Sequence, residues 1–321
     1  MVRAVIYLLA WFATVFSIVA VAARYVPVVN HVVLVVAALS PYLTIGASML
    51  AAVLLLSTSP RIAVAALLPA VVAIAIQTPL FISSGAPPPD SVAIRVVSVN
   101  VREGLAEPKP LAALARDRAD VFVLQELSPE LASKLTSLES DFPYRAVDAQ
   151  PYAAGIGIWS RYPIERSSRD PGYQLGVVTA ALRVPGVSVP VSVLVAHLAG
   201  PFPQSIDNWK QDIAAFPDTL SDLAAGAGRG SAIVAGDLNA TNDMQPFRKL
   251  LSGGFHNAAQ QSGAGMVRTF PGHGSGPALV GIDHILTLNC SATDMETVPV
   301  PGSDHLGVTA TIHVPRQVTT G

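Results

Sequence analysis

The stretch Ile233-Val234-Ala235-Gly236-Asp237-Leu238-Asn239-Ala240-Thr241 places polar side chains directly after a short apolar run. An apolar run of this length predicts a buried strand, so that Asp237 and Asn239 follow its end. Loops at such ends carry the sites of layered α/β domains. A single Asp or Asn here is more often a turn former or helix cap, by roughly three to one. The pattern therefore needs support from the rest of the chain.

Three further apolar runs end in the same way, and the short segments Gly281-Ile282 and Gly302-Ser303 likewise lead into an acid and a histidine. Six such positions in one domain are better explained by one shared site than by six unrelated turns. Besides Asp237 and Asn239, the residues concerned are Asn100, Glu126, His197, Asp283, Asp304 and His305.

The side chains at these ends indicate a hard cation. Carboxylate and amide oxygens are the ligands that Mg²⁺ and Mn²⁺ prefer in proteins. Cys290 is the only cysteine, which excludes an internal disulfide and argues against a structural zinc site. We therefore expect Mg²⁺ or Mn²⁺ as the cofactor.

Residues 91–315 have the texture of one α/β domain, in which β-branched runs alternate with Gly, Pro and Asp turns and a few helical stretches. Strands outnumber helices, which suggests sheets packed face to face with helices outside. The predicted strands are 93–99, 121–124, 155–160, 177–184, 188–197, 231–235, 284–287 and 307–313, and the predicted helices are 108–116, 129–139, 209–224 with an interruption at Pro217, and 244–251.

The chain before this domain differs sharply in composition. The whole protein is 51% hydrophobic and only 13% charged, too apolar for an ordinary soluble protein. Uncharged runs at 4–23, 32–57 and 62–82 are each near the roughly 20 residues that cross a bilayer as a helix. We expect a transmembrane region of three helices over 1–82, a Pro-rich linker over 83–90, the domain over 91–315 and a short tail over 316–321.

The few cations that flank these runs predict their orientation. Arg3 and Arg61 fall on one side and Arg24 on the other, so the positive-inside rule puts the amino terminus in the cytoplasm and the large domain outside. An alternative is that the first run is a signal peptide, since Ala20-Val21-Ala22 resembles a cleavage site. Two spans would then remain, and the domain would still lie outside.

The order of motifs SVNV, QE, WSRYPI, AHL, GDLNAT, TFP, IDHI and SDHLGV resembles that of the endonuclease/exonuclease/phosphatase superfamily, whose members include DNase I-like nucleases and sphingomyelinases. The resemblance implies a four-layer α/β/β/α sandwich and a metal-dependent phosphoric ester hydrolase. It assigns the metal to Glu126, Asn100 and Asp304. It also implies that Asp237 and Asn239 orient the attacking water and the phosphoryl group, that His305 is the base held by Asp283, and that His197 binds a phosphate oxygen or assists the leaving group.

The choice of substrate depends on charge and on the anchor. Of 20 Lys and Arg residues three precede residue 91, and of 22 Asp and Glu residues one does, so the domain lacks the basic excess typical of nucleic-acid enzymes. An anchor raises the local concentration of a lipid-borne substrate. The layout is similar to that of actinobacterial proteins associated with teicoplanin resistance, which implies a phosphorylated lipid or cell-envelope intermediate as substrate. A surface-tethered nuclease and a non-catalytic membrane-associated binding protein are the alternatives.

Overall fold

The computed structural model describes residues 1–203, 205–272 and 276–317. Over these residues, the part beyond Asp90 forms two six-stranded sheets. In chain order the strands are β1 (Ser91–Asn100), β2 (Val121–Gln125), β3 (Tyr144–Asp148), β4 (Ile156–Ser160), β5 (Ile164–Arg169), β6 (Val177–Leu182), β7 (Val191–His197), β8 (Ala232–Asp237), β9 (His256–Asn257), β10 (Asp283–Leu288), β11 (Ser291–Val298) and β12 (Gly307–Pro315).

The strand order is β11-β12-β1-β2-β4-β3 in the first sheet and β5-β6-β7-β8-β10-β9 in the second. The eight strands predicted from apolar runs are all present. Four others were missed, among them β3 and β5, which are largely exposed and lie at sheet edges, so that they lack an apolar run. Of the predicted tail, residues 318–321 lie outside the described residues.

Helices cover the outer faces of both sheets, which gives the predicted α/β/β/α layers. They are α6 (Pro108–Arg118), α7 (Pro129–Lys134), α8 (Ile206–Ala227), α9 (Gln245–Leu250) and α10 (Ala258–Ser262). One apolar core lies between the two sheets, and each sheet has a further core between its outer face and the helices that cover it. The predicted interruption at Pro217 is wrong, because α8 continues through it. The predicted helix 129–139 ends early, at Lys134, and a short 3₁₀ turn follows.

Strand direction brings the polar ends together. β1 and β2 are parallel, and so are β7 and β8, where His197 lies opposite Asp237. β10 runs antiparallel to β8 and starts at Asp283, which also lies opposite Asp237. Asn100 ends β1, and Glu126 follows β2 directly. The ends of both sheets therefore face the same edge of the sandwich.

The amino-terminal region consists of five helices, of which α1 is the longest. By length and composition, the segments Val2–Tyr25 and Pro60–Phe81 can each cross a membrane. The second apolar run is not one straight helix, because it bends by 74° between α2 and α3, just before Pro41. Counting that bent pair as one span gives three. The helices are α1 (Val2–Ala22), α2 (His31–Ala38), α3 (Ser40–Leu55), α4 (Pro60–Ala65) and α5 (Leu68–Gln77).

One end of this helical region contacts the sandwich. Arg24 forms a buried ion pair with Asp243, and Gln77 Nε2 donates a hydrogen bond to the same carboxylate over 2.7 Å. Near the other end, Tyr7 and Ser59 hydroxyls are 2.6 Å apart and link α1 to the turn before α4. The apolar helices are thus tied to the α/β domain by buried polar contacts as well as by the linker.

Candidate active site

The eight residues predicted as a site converge at one cleft of about 540 Å³. Six of them line it directly. Asn100 reaches it through hydrogen bonds to two of these six, and Asp283 through its bond to His305. The residues that line the cleft from this set are Glu126, His197, Asp237, Asn239, Asp304 and His305.

Asn100 joins the two sheets at the bottom of the cleft. Its Nδ2 donates to Glu126 Oε1 over 3.0 Å and to Asp237 Oδ2 over 3.1 Å. Its Oδ1 accepts a hydrogen bond from the backbone of Arg102. Asn100 is completely buried, so the carboxylates from the first and second sheet are held at a fixed separation.

Glu126 and Asn239 both have a left-handed backbone, with φ of 59° and 48°. Such a conformation is disfavoured for residues with a side chain and is typically retained where the surrounding structure enforces it, often at functional sites. Glu126 Oε2 accepts a hydrogen bond from the backbone of Glu103, and Asn239 Nδ2 donates to the carbonyl of Leu198. The buried Trp209 donates from Nε1 to the carbonyl of Asn239. These contacts hold both side chains at the cleft.

His305 and Asp283 form a buried pair, with 2.9 Å between Nδ1 and Oδ2. Burial lowers the pKa of His305, but the carboxylates of Asp283, Asp237 and Asp304 together outweigh it and raise the pKa to about 10. The ring also packs on Phe270, with centroids 5.0 Å apart. The orientation of the imidazole is therefore set by one hydrogen bond and one aromatic contact.

Asp237 lies at the centre of the cluster and is almost fully buried. Burial and the charge of Asp283 raise its pKa, and His305 and His197 partly offset this. His197 Nε2 is 3.7 Å from both Glu126 Oε1 and Asp237 Oδ2, while its Nδ1 is 3.0 Å from the carbonyl of Ala153. His197 is therefore placed to interact with whatever both carboxylates bind.

Asp304 lies at the rim of the cleft and is the most exposed of the predicted metal ligands. Its Oδ2 is 3.8 Å from Arg102 Nε, and its carbonyl accepts a hydrogen bond from Gly272. Arg102 was not predicted from the sequence, because nothing in its surroundings marks it as a site residue.

The donor set fits a hard divalent cation. Four carboxylates and two amides meet two histidines in a largely buried space, and buried Asp283 Oδ1 has no hydrogen-bond partner. Among the His, Cys, Asp and Glu residues that the structure describes, Asp237, Asp283 and His305 have ligand atoms within 4.8 Å of one another. This group differs from the predicted metal ligands. The carboxylates of Glu126 and Asp237, which lie on either side of Asn100, are further candidates to hold a cation.

Other polar residues near the predicted motifs have structural roles. Arg161 donates to the carbonyls of Ala119 and Arg116 and so stabilises the scaffold. His284 points away from the cleft, donates a hydrogen bond from Nε2 to the carbonyl of Ala240, and packs on Phe247. Burial lowers its pKa to about 4.

One wall of the cleft could not be found from the sequence. It is formed by residues of α2 and its carboxyl end, in the region predicted as the second transmembrane helix. These residues are Leu34, Val35, Ala38 and Leu39.

The fold and the site together define a class of protein. A model of the Endonuclease/Exonuclease/phosphatase family matches residues 97–305, and the chain belongs to this family. The members of this family act on phosphoester bonds, and the acid and histidine cluster at the strand ends lies within the matched region.

Several solved structures share this fold. A truncated TDP2 from Caenorhabditis elegans is 16% identical, with a TM-score of 0.56 over 68% of this chain and 97% of that one. Sphingomyelinase C from Streptomyces griseocarneus is 18% identical, with a TM-score of 0.51 over 68% and 99%. The Neisseria 3′ phosphatase NExo, bound to a product DNA hairpin, is 18% identical, with a TM-score of 0.52 over 68% and 98%. No curated protein matches the chain.

Proposed function

We propose that this protein is a membrane-anchored, metal-dependent phosphoesterase that hydrolyses a phosphate ester of a lipid or cell-envelope intermediate. The observation that carries the proposal is the convergence of eight polar residues from six strand ends on one cleft. A phosphoryl group repels an anionic nucleophile, so hydrolysis needs positive charge on its oxygens and a base that activates water. The cluster contains residues suited to both tasks.

Each residue is assigned the role that the family resemblance implies. Glu126, Asn100 and Asp304 would hold Mg²⁺ or Mn²⁺, with Asp237 adjacent. Such a cation, when bound, neutralises charge on the phosphoryl oxygens. Asp237 and Asn239 would orient the attacking water and the phosphoryl group, and His197 would bind a phosphate oxygen or assist the leaving group.

His305 would take the proton from the attacking water at Nε2. The hydrogen bond from Nδ1 to Asp283 fixes its tautomer and leaves Nε2 directed toward Asp237, 3.8 Å away. The carboxylates hold the pKa of His305 high, and any positive charge bound beside Asp237 and Asp304 would lower it toward the range of a useful base.

Two features support a lipid substrate. The helices that are apolar enough to cross a membrane contact the catalytic domain directly through Arg24 and Gln77, so the cleft lies close to them. The compact basic cluster of Arg161, Arg166 and Arg169 is also partly neutralised, since Arg169 pairs with Asp148 and Arg161 with Asp120. A nuclease would need free cations to follow a nucleic-acid backbone.

The enzyme activity is tested with the purified full chain in detergent micelles, against a panel of polyprenyl phosphates, phospholipids and plasmid DNA. Glu126→Ala, His305→Ala and EDTA should each abolish hydrolysis, whereas Glu130→Ala and His256→Ala, exposed controls of the same residue types, should not. Phosphatase activity that survives all three treatments would contradict the proposal. Rapid DNA cleavage without lipid turnover would instead favour a surface-tethered nuclease.

A further inference from the structure

Helix α2 is fixed to the catalytic domain although it belongs to the amino-terminal apolar region. Leu34 and Ala37 are buried in the core that also contains Trp209 and Met244. His31 Nε2 is 2.8 Å from the carbonyl of Pro201, and its ring lies 4.5 Å from that of Phe202. The Asn30 side chain caps the helix by accepting a hydrogen bond from the backbone of Val33. The position of α2 is therefore set by packing and by polar contacts at its start.

The face of α2 beside these anchors lines the catalytic cleft. Val35, Ala38 and Leu39 border the same space as Asp237 and His305. Val35 is 40% exposed, so it presents a free apolar surface to the cleft rather than filling a core. From the other side, Phe270 and Val280 add apolar surface. The scissile phosphate would therefore lie between a polar floor and apolar walls.

The chemistry of this wall selects among phosphate esters. α2 has no acidic, Lys or Arg side chain, so it offers nothing to a second phosphate or to a sugar beside the scissile group. A nucleic acid carries charged phosphates on both sides of each ester bond, and one of them would face this apolar surface. A hydrocarbon chain attached directly to the phosphate would instead be removed from water there, which is favourable.

The bend before Pro41 connects the wall to the apolar helices. α2 leads at 74° into α3, which packs along α1. The apolar surface at the cleft is thus continuous in sequence with a segment suited to lipid. A chain that extends from the phosphate past Leu39 would reach the helical region without crossing a polar barrier on α2.

We infer that α2 determines specificity, and that Val35 and Ala38, together with Leu39 directly after the helix, bind the hydrocarbon of a lipid alcohol whose phosphate ester is cleaved. This inference rests on the proposed phosphoesterase function and narrows its substrate class. Long-chain isoprenoid and acyl-glycerol phosphates share the required chemistry, a phosphate with a hydrocarbon within a few bonds.

The test measures kcat/KM of the full chain in mixed micelles for a polyprenyl phosphate, a diacyl phosphatidate and a water-soluble short-chain alkyl phosphate. The informative quantity is kcat/KM for a long-chain ester divided by kcat/KM for the short-chain ester. Val35→Asn should lower this ratio about tenfold, mainly through KM, because an amide replaces apolar surface in contact with the chain. Val32→Asn, the same change on the same helix at a position 71% exposed and outside the cleft, should leave the ratio unchanged.

The two long-chain arms identify the source of the hydrocarbon, since the preferred one should show the larger drop in Val35→Asn. If Val35→Asn does not fold, the nearly isosteric Val35→Thr should lower the ratio about threefold. An unchanged ratio in a folded Val35 variant, with the wild type still active on phosphate esters, overturns the role of α2 and leaves the proposed function intact. A wild type that cleaves none of the three esters and none of the phospholipids in the first panel overturns both.

Discussion

Replacing Asp283 by Asn removes the charge that orients His305 and leaves the shape of the side chain nearly unchanged. The two groups are 2.9 Å apart, and their side chains are 8% and 1% exposed, so little water can compensate for the loss. A buried hydrogen bond between charged groups contributes about 3 kcal/mol. If this energy is expressed in the transition state, the rate falls roughly a hundredfold.

The assay for Asp283→Asn is the pH dependence of kcat/KM with the phosphate ester that the wild type cleaves best. The carboxylate of Asp283 raises the pKa of His305, so its removal should also shift the acidic limb of the profile to lower pH. Asp222→Asn, on the exposed face of α8, is the matched control and should change neither quantity. A plateau rate within threefold of wild type in a folded Asp283→Asn protein would refute the assignment of His305 as a base held by Asp283.

Three other predictions concern stability, site geometry and orientation. Burial lowers the pKa of His284 from 6.5 to about 4, so the free energy of unfolding should be highest above pH 6.5 and should fall by on the order of 3 kcal/mol as the pH drops to 4. Thermal unfolding of His284→Gln should show a shallower decline with falling pH. An identical decline in the variant would contradict this prediction. Trp209→Phe removes the hydrogen bond to the carbonyl of Asn239. It should lower the free energy of unfolding by about 1–3 kcal/mol and change kcat more than KM. Unchanged kinetics would show that Asn239 keeps its position without this hydrogen bond. Added protease should cleave the domain in intact cells if it lies outside, whereas protection would place it in the cytoplasm.

Five of the site residues were predictable because they lie at or just after the ends of apolar strands, whereas Asp283, Asp304 and His305 lie at or just before the starts of β10 and β12. An acid, amide or histidine after a buried run is visible in the sequence, and parallel pairs such as β1 with β2 then bring those ends to one edge. The contacts that hold the site were not predictable in this way. Trp209 has the pattern of a core residue, and only the structure shows that its indole also supports Asn239.

The parts of the fold that were missed lack a local signal. β5 is exposed along nearly its whole length, so its side chains do not alternate between apolar and polar. Pro217 was expected to interrupt a helix, since proline removes one backbone donor and clashes with the preceding turn. In α8 the buried side chains Trp209, Ile213, Phe216 and Leu220 lie on both sides of it, and their packing stabilises a continuous helix.

The bend between α2 and α3 bears on where the cleft would lie relative to a bilayer, if the apolar helices cross one. Proline disfavours a helical residue before it, but lipid-embedded helices often tolerate it, so the sequence alone permits either a straight or a broken span. Burial of Leu34 and Ala37 in the catalytic domain favours the broken form. α3 alone has 16 residues, a rise of about 24 Å, which is short of a typical hydrocarbon core of roughly 30 Å. If the helices cross a bilayer as proposed, α2 and the mouth of the cleft then lie at the level of the headgroups, and a lipid phosphate could reach His305 while its chain remains in the membrane.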